Sequence, residues 1–253
     1  MNEVQKAGDQ AYRDLYKDNS KLLIMLQDLF DSVQQDSKVN VLVNEILSKS
    51  EALHVLIEGS ANPHNIDALD AVLAKRLNPN DEITIIDVSE AAIEEHKKYI
   101  ASTYPHKKYH VQFGDMNNIP LKEGSVDLVI NDCAINYNEA DTDNDKTVKE
   151  MKRVLKPKQS GILLSAVVDR TYDAKEFGND QELIGESQVR QPGVFYPLVN
   201  DKSIKRLCWP VPYYKALITK NSLHYVEFDV EQGKLYLVEQ SDISYRRFFI
   251  TAD

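Results

Sequence analysis

The alternation of short apolar strands with helical segments after His54 constrains the fold of this 253-residue chain more than any other feature. Five apolar segments are typical of buried strands: HVLIE (54–58), EITIID (82–87), YHVQFG (109–114), SVDLVIN (125–131) and GILLSAVV (161–168). Segments with helical periodicity lie between them, near Ile66–Leu77, Ser89–Tyr104 and Thr142–Leu155. Such alternation forms a parallel sheet with right-handed crossovers, and near-continuous apolar strands have both faces covered. The sequence therefore predicts a Rossmann-like α/β domain.

The two ends of the chain depart from this alternation. Residues 1–50 carry apolar side chains at helical spacing, so we predict a helical cap over 1–50 in front of a domain over 51–253. The segment 170–212 is rich in glycine, proline and aromatic residues and is too long for an ordinary connection, which predicts a lid insertion. After it we predict a helix near Tyr213–Asn221, a strand at His224–Asp229, a hairpin turn at EQGK, and strands in LYLVEQ and YRRFFIT. The sheet should therefore end in an antiparallel hairpin.

Composition limits the partners and the compartment. The formal net charge is −10 and there is no dense run of Lys or Arg, which argues against nucleic acid as the main partner. No apolar run approaches about 20 residues, so no membrane span is predicted. The N-terminus lacks a signal-peptide core, and two cysteines, Cys133 and Cys208, cannot form a disulfide framework. We therefore predict a cytoplasmic protein.

Two acids stand at the ends of predicted strands. Asp87 ends the strand 82–87, and Asp115 follows Gly114 at the end of the next strand. In an open parallel sheet these positions face the ligand crevice. A carboxylate there can accept hydrogen bonds from a ribose diol, and the second can accept one from an adenine amine, which predicts an adenosine-containing cofactor. The alternative is that each acid only caps the next helix.

Four segments together resemble the class I S-adenosylmethionine-dependent methyltransferases. They are HVLIEGSANPHN at the glycine loop, IIDVS, FGDMNNIPLKEGSVDLVIND and EMKRVLKPKQSGILLS, within residues 54–168. The resemblance implies a mostly parallel seven-stranded sheet with an antiparallel end. It also implies S-adenosylmethionine as the methyl donor and S-adenosylhomocysteine as the product.

The resemblance also implies roles for particular residues. Asp87 would bind the ribose with Val88 against the adenine, while Asp115 would bind the adenine amine with Met116 on the ring. Glu58, Gly59 and Ser60 would line the methionine part, and Asn131 and Asp132 would lie beside the sulfonium and the acceptor. An oxygen or nitrogen acceptor needs a group that accepts its proton, and the candidates are Asp132, Tyr137 and His64.

The first loop departs from the family pattern of an acid, a spacer and three alternate glycines. One register places Ile57 at the acid, with Gly59, Ala61 and Pro63 at the glycines. The other places Glu58 at the acid, with Ser60, Asn62 and His64 at the glycines. Both registers give a more crowded loop, because glycine allows the closest approach of backbone to ligand.

The sequence thus predicts methyl transfer to a small organic molecule, without indicating whether an O, N or C atom accepts. Aromatic residues of 170–212 favour an apolar or aromatic acceptor. A homodimer or a partner subunit is also compatible with the sequence. The main alternative is a methyltransferase fold that no longer methylates and serves as a binding or scaffold subunit or in other chemistry.

Two smaller motifs have features of a thiol site and of a metal site. NDCAINY (131–137) resembles a segment of arsenite methyltransferases, which would give thiol chemistry to Cys133 and Cys208. A buried free cysteine is the simpler interpretation. DTDND (141–145) lacks the glycine and glutamate of a calcium loop, so it is interpreted as a helix cap and no metal site is predicted.

Overall fold

The computed structural model describes residues 25–60, 62–76, 78–138, 141–169, 193–195, 206–228 and 243–252. In these ranges the helices are α1 (Met25–Gln35), α2 (Ser37–Leu47), α3 (Asn65–Leu73), α4 (Glu90–Thr103), α5 (Asp141–Val154) and α6 (Val211–Lys220). The strands are β1 (His54–Glu58), β2 (Glu82–Asp87), β3 (Lys108–Phe113), β4 (Leu128–Asp132), β5 (Gly161–Asp169), β6 (Gly193–Phe195), β7 (Arg206–Cys208), β8 (His224–Phe228) and β9 (Ile243–Thr251). None of the helices described is long and apolar enough to cross a bilayer.

Seven of the strands form one sheet in the order β3-β2-β1-β4-β5-β9-β8. The strands β1 to β5 pair in parallel, whereas β9 is antiparallel to both β5 and β8. This confirms the predicted Rossmann-like sheet and its antiparallel end. The chain runs outward from β1 to β2 and β3 and then returns to β4, so the strand order reverses between β1 and β4. Ligands of open α/β sheets bind beyond the carboxyl ends of the strands at such a reversal.

Each face of the sheet is covered by its own apolar cluster. The first cluster joins α1, α2 and α3 to β1, and its members include Leu29, Val43, Leu69, Val55 and Ile57. The second joins α5 and α6 to the other face, and its members include Met151, Tyr214, Leu56, Val129 and Leu164. Because successive strand residues point to opposite faces, Ile57 packs in the first cluster and Glu58 turns to the second face.

The N-terminal helices are separated at Asp36, within the polar run QQDSK (34–38). Asp36 is the N-cap of α2, and its Oδ1 accepts the backbone N–H of Lys38 at 3.0 Å and of Val39 at 2.9 Å. A new helix can begin one residue after α1 ends, because this carboxylate satisfies amide groups that otherwise lack a helical partner. Both helices then contribute buried side chains to the first cluster.

Several element boundaries differ from the predictions, and three of the differences have a visible structural reason. The fourth strand begins at Leu128 and not at residue 125, because Val126 pairs only through an isolated bridge with Leu155. The helix after β1 ends at Leu73 and continues as a 3-10 turn over Ala74–Arg76. The last helix begins at Val211, since a proline at Pro212 is tolerated in a first turn.

The predicted lid lies mostly outside the described residues. Its described parts, 193–195 and 206–212, include the short antiparallel pair β6–β7, which was not predicted from the sequence. The segments EQGK and LYLVEQ also lie outside the described residues. The lid and the division of the chain at residue 50 therefore stay predictions.

Candidate active site

A buried polar pair lies at the carboxyl ends of β1 and β4. Glu58 and Asn131 are register partners and are exposed by 1% and 0%. Asn131 Nδ2 donates to Glu58 Oε2 at 2.7 Å, and Asn131 Oδ1 accepts the N–H of Ile135 at 2.9 Å. Glu58 Oε1 has no hydrogen-bond partner among the described residues. A buried oxygen of this kind is costly to leave unpaired, so the site lacks one hydrogen-bond donor.

Burial also controls the charge of this pair. It raises the pKa of Glu58 to about 8, although the hydrogen bond from Asn131 acts in the opposite direction and Asp115 and Glu150 add to the rise. At neutral pH the Glu58 carboxyl therefore holds its proton, and a cationic donor beside it would favour the ionised form.

The loop after β1 packs directly on the 3-10 turn Ala134–Tyr137. Gly59 has φ +65°, and a Cβ there would lie 2.9 Å from the Cβ of Ala134. Its N–H donates to the carbonyl of Ile86 at 2.9 Å. Only glycine combines this backbone angle with so close an approach. The one glycine left in the loop is thus at the position that most requires it.

The polar residues at the glycine positions of the second register make hydrogen bonds within the protein. Ser60 is 3% exposed, and its Oγ lies 3.3 Å from Nε2 of His96 on α4. Asn62 Oδ1 accepts the N–H of His64 at 2.9 Å. The His64 side chain is half-exposed, with Nδ1 3.3 Å from Asp67 and its ring edge-on to Tyr99. The contacts of His64 are thus with α3 and α4, away from the Glu58 pair.

The strand-ending acid Asp87 is not the cap of the helix after it. Its Oδ1 accepts the N–H of Ser89 at 2.8 Å, and the cap is Ser89, whose Oγ accepts the N–H of Ala92 at 3.1 Å. Asp87 and the adjacent Val88 are both half-buried at the edge of the sheet. The N-cap residue of α4 is therefore Ser89, two positions after the strand-ending acid.

Asp115 and Met116 lie in a turn that no helix follows. Asp115 Oδ1 accepts the N–H of Asn117 at 2.8 Å, so this acid orders its own turn. Met116 Sδ lies 3.8 Å from Asn131 Nδ2 and thus beside the Glu58 pair. Before them, a Cβ on Gly114 would lie 2.8 Å from the Cβ of Ile86. The turn after β3 is therefore packed against the end of β2.

Asp132 points to the opposite face of the sheet from Asn131. Its register partner on β5 is Ser165, whose partner on β9 is Arg247. Burial raises the pKa of the Asp132 carboxyl, while Arg247 and Ser165 lower it. Arg247 also donates to the Ser32 hydroxyl of α1. The structure therefore places Asp132 beneath α1, in a separate group from Glu58 and Asn131.

The turn after β4 contains a strained residue. Cys133 has φ 64° without being glycine, and its N–H donates to the Ser165 carbonyl at 3.0 Å. Such backbone angles cluster at functional sites. Tyr137 ends this turn and is half-buried. Cys133 is buried, and the side chain of Cys208 lies outside the described residues.

Two supports of the site were missed in the sequence. Asn138 Oδ1 accepts from Asn117 Nδ2 at 3.0 Å and its Nδ2 donates to Thr147 Oγ1 at 2.9 Å, which joins the turns after β3 and β4 to α5. The signal was the number of asparagines next to strand ends. The other support is His96, a polar residue at an apolar position of α4.

An arginine of α5 holds the turn after β3 in place. Arg153 Nη2 donates to the Ile119 carbonyl at 2.8 Å, and Nη1 donates to the Leu121 carbonyl at 2.9 Å. Glu150 Oε2 accepts the N–H of Ile119 at 2.9 Å. Arg153 and Glu150 belong to the segment EMKRVLKP, so the motif that resembles the family also holds the turn after β3 in place.

Comparison with known proteins identifies the family. The sequence profile of the family described as "Methyltransferase domain" matches residues 68–229. An uncharacterized protein of Haemophilus influenzae is 30% identical over 117 residues, which are 46% of this chain and 43% of that protein. The match thus spans less than half of this relative.

Two solved structures share the fold. The PH0226 protein from Pyrococcus horikoshii OT3 has a TM-score of 0.56 at 15% identity, over 95% of this chain and 97% of that one. A SAM-dependent methyltransferase from Methanosarcina mazei has a TM-score of 0.56 at 14% identity, over 83% of this chain and 95% of that one. With the family profile over more than half of its length, the chain belongs to the methyltransferase domain family, within the class I S-adenosylmethionine-dependent methyltransferases.

Proposed function

We propose that this protein transfers a methyl group from S-adenosylmethionine to a small organic acceptor at the carboxyl ends of β1, β2 and β4. The observation that carries the proposal is the unpartnered Oε1 of the buried Glu58. An ammonium group is the donor that best suits a buried carboxyl oxygen, because a charge-assisted bond is roughly twice as strong as a neutral one. The amino-acid part of the cofactor carries such a group.

The remaining residues around Glu58 fit the same cofactor. Gly59 lets the backbone come close to a ligand, and Ser60 follows it. Met116 and Asn131 lie next to the carboxyl of Glu58 and offer an apolar and a polar wall. In this arrangement the second register of the loop, with Glu58 as the acid, is the one that supports binding.

Asp87 and Asp115 would bind the adenosine part. Each is half-buried at the edge of the sheet, and each is oriented by a backbone N–H of its own turn. A carboxylate held in this way can accept hydrogen bonds without losing much side-chain entropy on binding. Val88 beside Asp87 would contact the adenine.

Methyl transfer requires that the acceptor atom is aligned with the methyl group and that, for an N or O atom, its proton is removed. S-adenosylmethionine supplies a methyl group that its positive sulfur has already activated. The chain must hold the acceptor in line and, for an N or O atom, accept a proton. Asp132 was the first candidate base from the sequence, but its place on the opposite face of the sheet from Asn131, beside Arg247, does not favour it. Tyr137 is the second candidate, and the contacts of His64 with Asp67 and Tyr99 do not favour His64.

The nature of the acceptor rests on fewer observations. Of the aromatic residues in 170–212, Trp209 is the one whose side chain is described, and it is 5% exposed and stacked on Tyr213 at 4.4 Å. Trp209 is therefore part of the second apolar cluster. An apolar or aromatic acceptor remains our proposal from the composition of the rest of that segment.

Calorimetry with S-adenosylhomocysteine tests the cofactor site. We expect binding by the wild type and an affinity lower by about 10-fold or more in Glu58→Gln, because the charge-assisted bond to the ammonium is lost. The matched control is Glu94→Gln on α4, whose side chain is 63% exposed and paired only with Lys97 among the described residues. This control should bind like the wild type.

Each contrary outcome has a defined meaning. Equal affinity in the wild type and Glu58→Gln would show that the cofactor's ammonium lies elsewhere. No binding of either S-adenosylmethionine or its product by the wild type would overturn the proposal. The non-methylating alternative, a binding or scaffold subunit, would then be the better hypothesis.

A further inference from the structure

His96 is a fully buried histidine that the chemistry of the site does not use directly. It lies on α4 among Ala92, Ile93 and Ile100, which form the buried side of that helix, and its exposure is 0%. A histidine at such a position requires hydrogen-bond partners. Its two ring nitrogens find them in different parts of the chain.

The partners fix which nitrogen carries the proton. Nδ1 lies 2.8 Å from the carbonyl of Ala92, which can only accept, so Nδ1 is the protonated nitrogen. Nε2 lies 3.3 Å from Ser60 Oγ, which also lies 3.5 Å from the carbonyl oxygen of Asn62. A bare Nε2 is the nearer of these two acceptors for the hydroxyl proton of Ser60. Burial lowers the pKa of His96, against the opposing effect of the carbonyls of Ala92, Ser60 and Asn62, which keeps the ring neutral.

The loop that His96 contacts is the one that lacks the family's glycines. A side chain at a position where the family has glycine would occupy the space of the ligand if it pointed into the cleft. Ser60 is 3% exposed and directed towards α4, next to Gly59 with its left-handed backbone. Asn62 is likewise used inside the loop, on the N–H of His64.

We propose that His96 is a positioning residue of the cofactor site, which holds the Ser60 side chain against α4 and so leaves the loop backbone accessible to the cofactor. The inference rests on the proposed function, because it assigns a role in binding S-adenosylmethionine. The Ser60–His96 bond would take over the function of a glycine: it removes a side chain from the cleft by tying it down, where glycine has none.

A restored glycine gives the sharpest test. His96→Phe keeps a ring of similar size but cannot accept a hydrogen bond, so the affinity for S-adenosylhomocysteine should fall by about 5- to 10-fold. In a Ser60→Gly background no side chain needs to be held. There the same His96→Phe change should leave the affinity within about twofold of Ser60→Gly alone. A histidine that only fills the core would weaken binding equally in both backgrounds.

A second measurement does not depend on any variant folding well. Nitrogen-15 NMR of the wild type at neutral pH should show His96 as a neutral ring with Nδ1 protonated and Nε2 bare. An Nε2 resonance at the position of a bare ring nitrogen that accepts no hydrogen bond would overturn the proposal, since Ser60 would then not be bound to it. Thermal unfolding of each ligand-free variant shows whether a change in affinity accompanies a loss of structure.

The outcomes separate this inference from the proposed function. Two outcomes overturn the role of His96 and leave the cofactor site standing. In both the wild type binds; in one His96→Phe has unchanged affinity, and in the other it loses affinity that Ser60→Gly does not restore. No wild-type binding overturns the proposed function, and the role of His96 falls with it. Loss in His96→Phe with rescue by Ser60→Gly supports both.

Discussion

The ionisation of a single carboxyl group, that of Glu58, should make the stability of the ligand-free protein depend on pH. Its pKa is about 8 in the folded chain, compared with 4.5 for the unperturbed group, because burial disfavours the charge. The folded state therefore binds one proton more than the unfolded state between these values. The free energy of unfolding should fall as pH rises from 4.5 to 8, by up to about 1.4 kcal/mol per pH unit.

Glu58→Gln should remove this dependence, since glutamine reproduces the protonated acid. At pH 8 we expect the variant to unfold with a free energy higher than the wild type by about 4 kcal/mol, and at pH 4, below both pKa values, the two should agree. Denaturant unfolding of both proteins at the two pH values checks this. A variant that is less stable than the wild type at pH 8 would show that the ionised carboxylate is already stabilised inside the folded chain.

The same substitution thus acts in opposite directions on stability and on binding. Replacing a residue that is kept for packing lowers the stability of the protein, whereas replacing a residue that is kept for a ligand can raise it. Glu58→Gln is expected to gain stability without ligand and to lose affinity for S-adenosylhomocysteine. That combination would distinguish a working cofactor site from a retained structural feature.

At the scale of elements, a charged cluster at the amino end of the sheet joins the segments that follow α2 and α5 to the starts of β1 and β4. The side chain of Asp127 is 1% exposed, and it contacts Lys49 Nζ at 2.7 Å and Lys156 Nζ at 2.6 Å. It also accepts the N–H of His54 at 2.9 Å. Burial would raise the pKa of Asp127, but the hydrogen bonds from Lys156 and Lys49 hold it below its usual value.

Asp127→Asn should lower the free energy of unfolding by about 2–3 kcal/mol at neutral pH, because a buried carboxylate loses its charge-assisted bonds to two lysines whose side chains are 11% and 33% exposed. Asp127 has a lowered pKa, so its contribution is present at neutral pH and is lost as pH falls through the folded-state value. The difference between wild type and variant should therefore shrink in acid. Denaturant unfolding at pH 7 and pH 3 measures it.

Two controls place this effect. Asp143→Asn removes one partner of an exposed pair with Lys146 and should change stability by less than about 0.5 kcal/mol. The affinity of Asp127→Asn for S-adenosylhomocysteine should equal that of the wild type, because the cluster lies at the opposite edge of the sheet from Glu58. A loss of affinity would contradict this separation.

The elements were easier to predict than the site, for a physical reason. The strands 54–58 and 82–87 were predicted at their observed limits, because apolar runs and flanking turn residues are local signals. The loop register was left open, because the choice between Ile57 and Glu58 depends on which face of the sheet each meets. Strand alternation shows which residue points to which face, but the use of each face is known only once the helices that pack on it are known.

Side-chain partners between distant segments could not be predicted from the sequence either. The contact of His96 with Ser60 joins residues 36 positions apart, and the pair Glu58–Asn131 spans 73 positions. Asp132 was predicted beside Asn131 in the cleft, yet neighbouring strand residues point to opposite faces. The position of His96 within the apolar stripe of α4 was the one local sign of a hidden partner.

At the scale of the whole molecule, the question is whether the N-terminal helices are a separable cap. Leu26, Leu29 and Phe30 of α1 lie in the same apolar cluster as Val55 and Ile57 of the sheet. Burial of this kind on a shared core couples the elements in one cooperative transition. We therefore expect residues 25–47 to unfold together with the sheet, even though the sequence suggested a boundary near residue 50.

Leu29→Ala tests this coupling through a distant reporter. Leu29 is 0% exposed, and its truncation should lower the free energy of unfolding by about 2–5 kcal/mol. The single tryptophan, Trp209, lies in the second cluster on the other face of the sheet, so its fluorescence reports the far side of the molecule. In one cooperative unit, the fluorescence and circular dichroism transitions of Leu29→Ala should move together to lower denaturant. Val41→Ala on α2, 58% exposed, is the matched control and should leave both transitions in place. A tryptophan transition that stays at the wild-type midpoint while circular dichroism shows an earlier phase would instead make α1 and α2 a cap that unfolds independently.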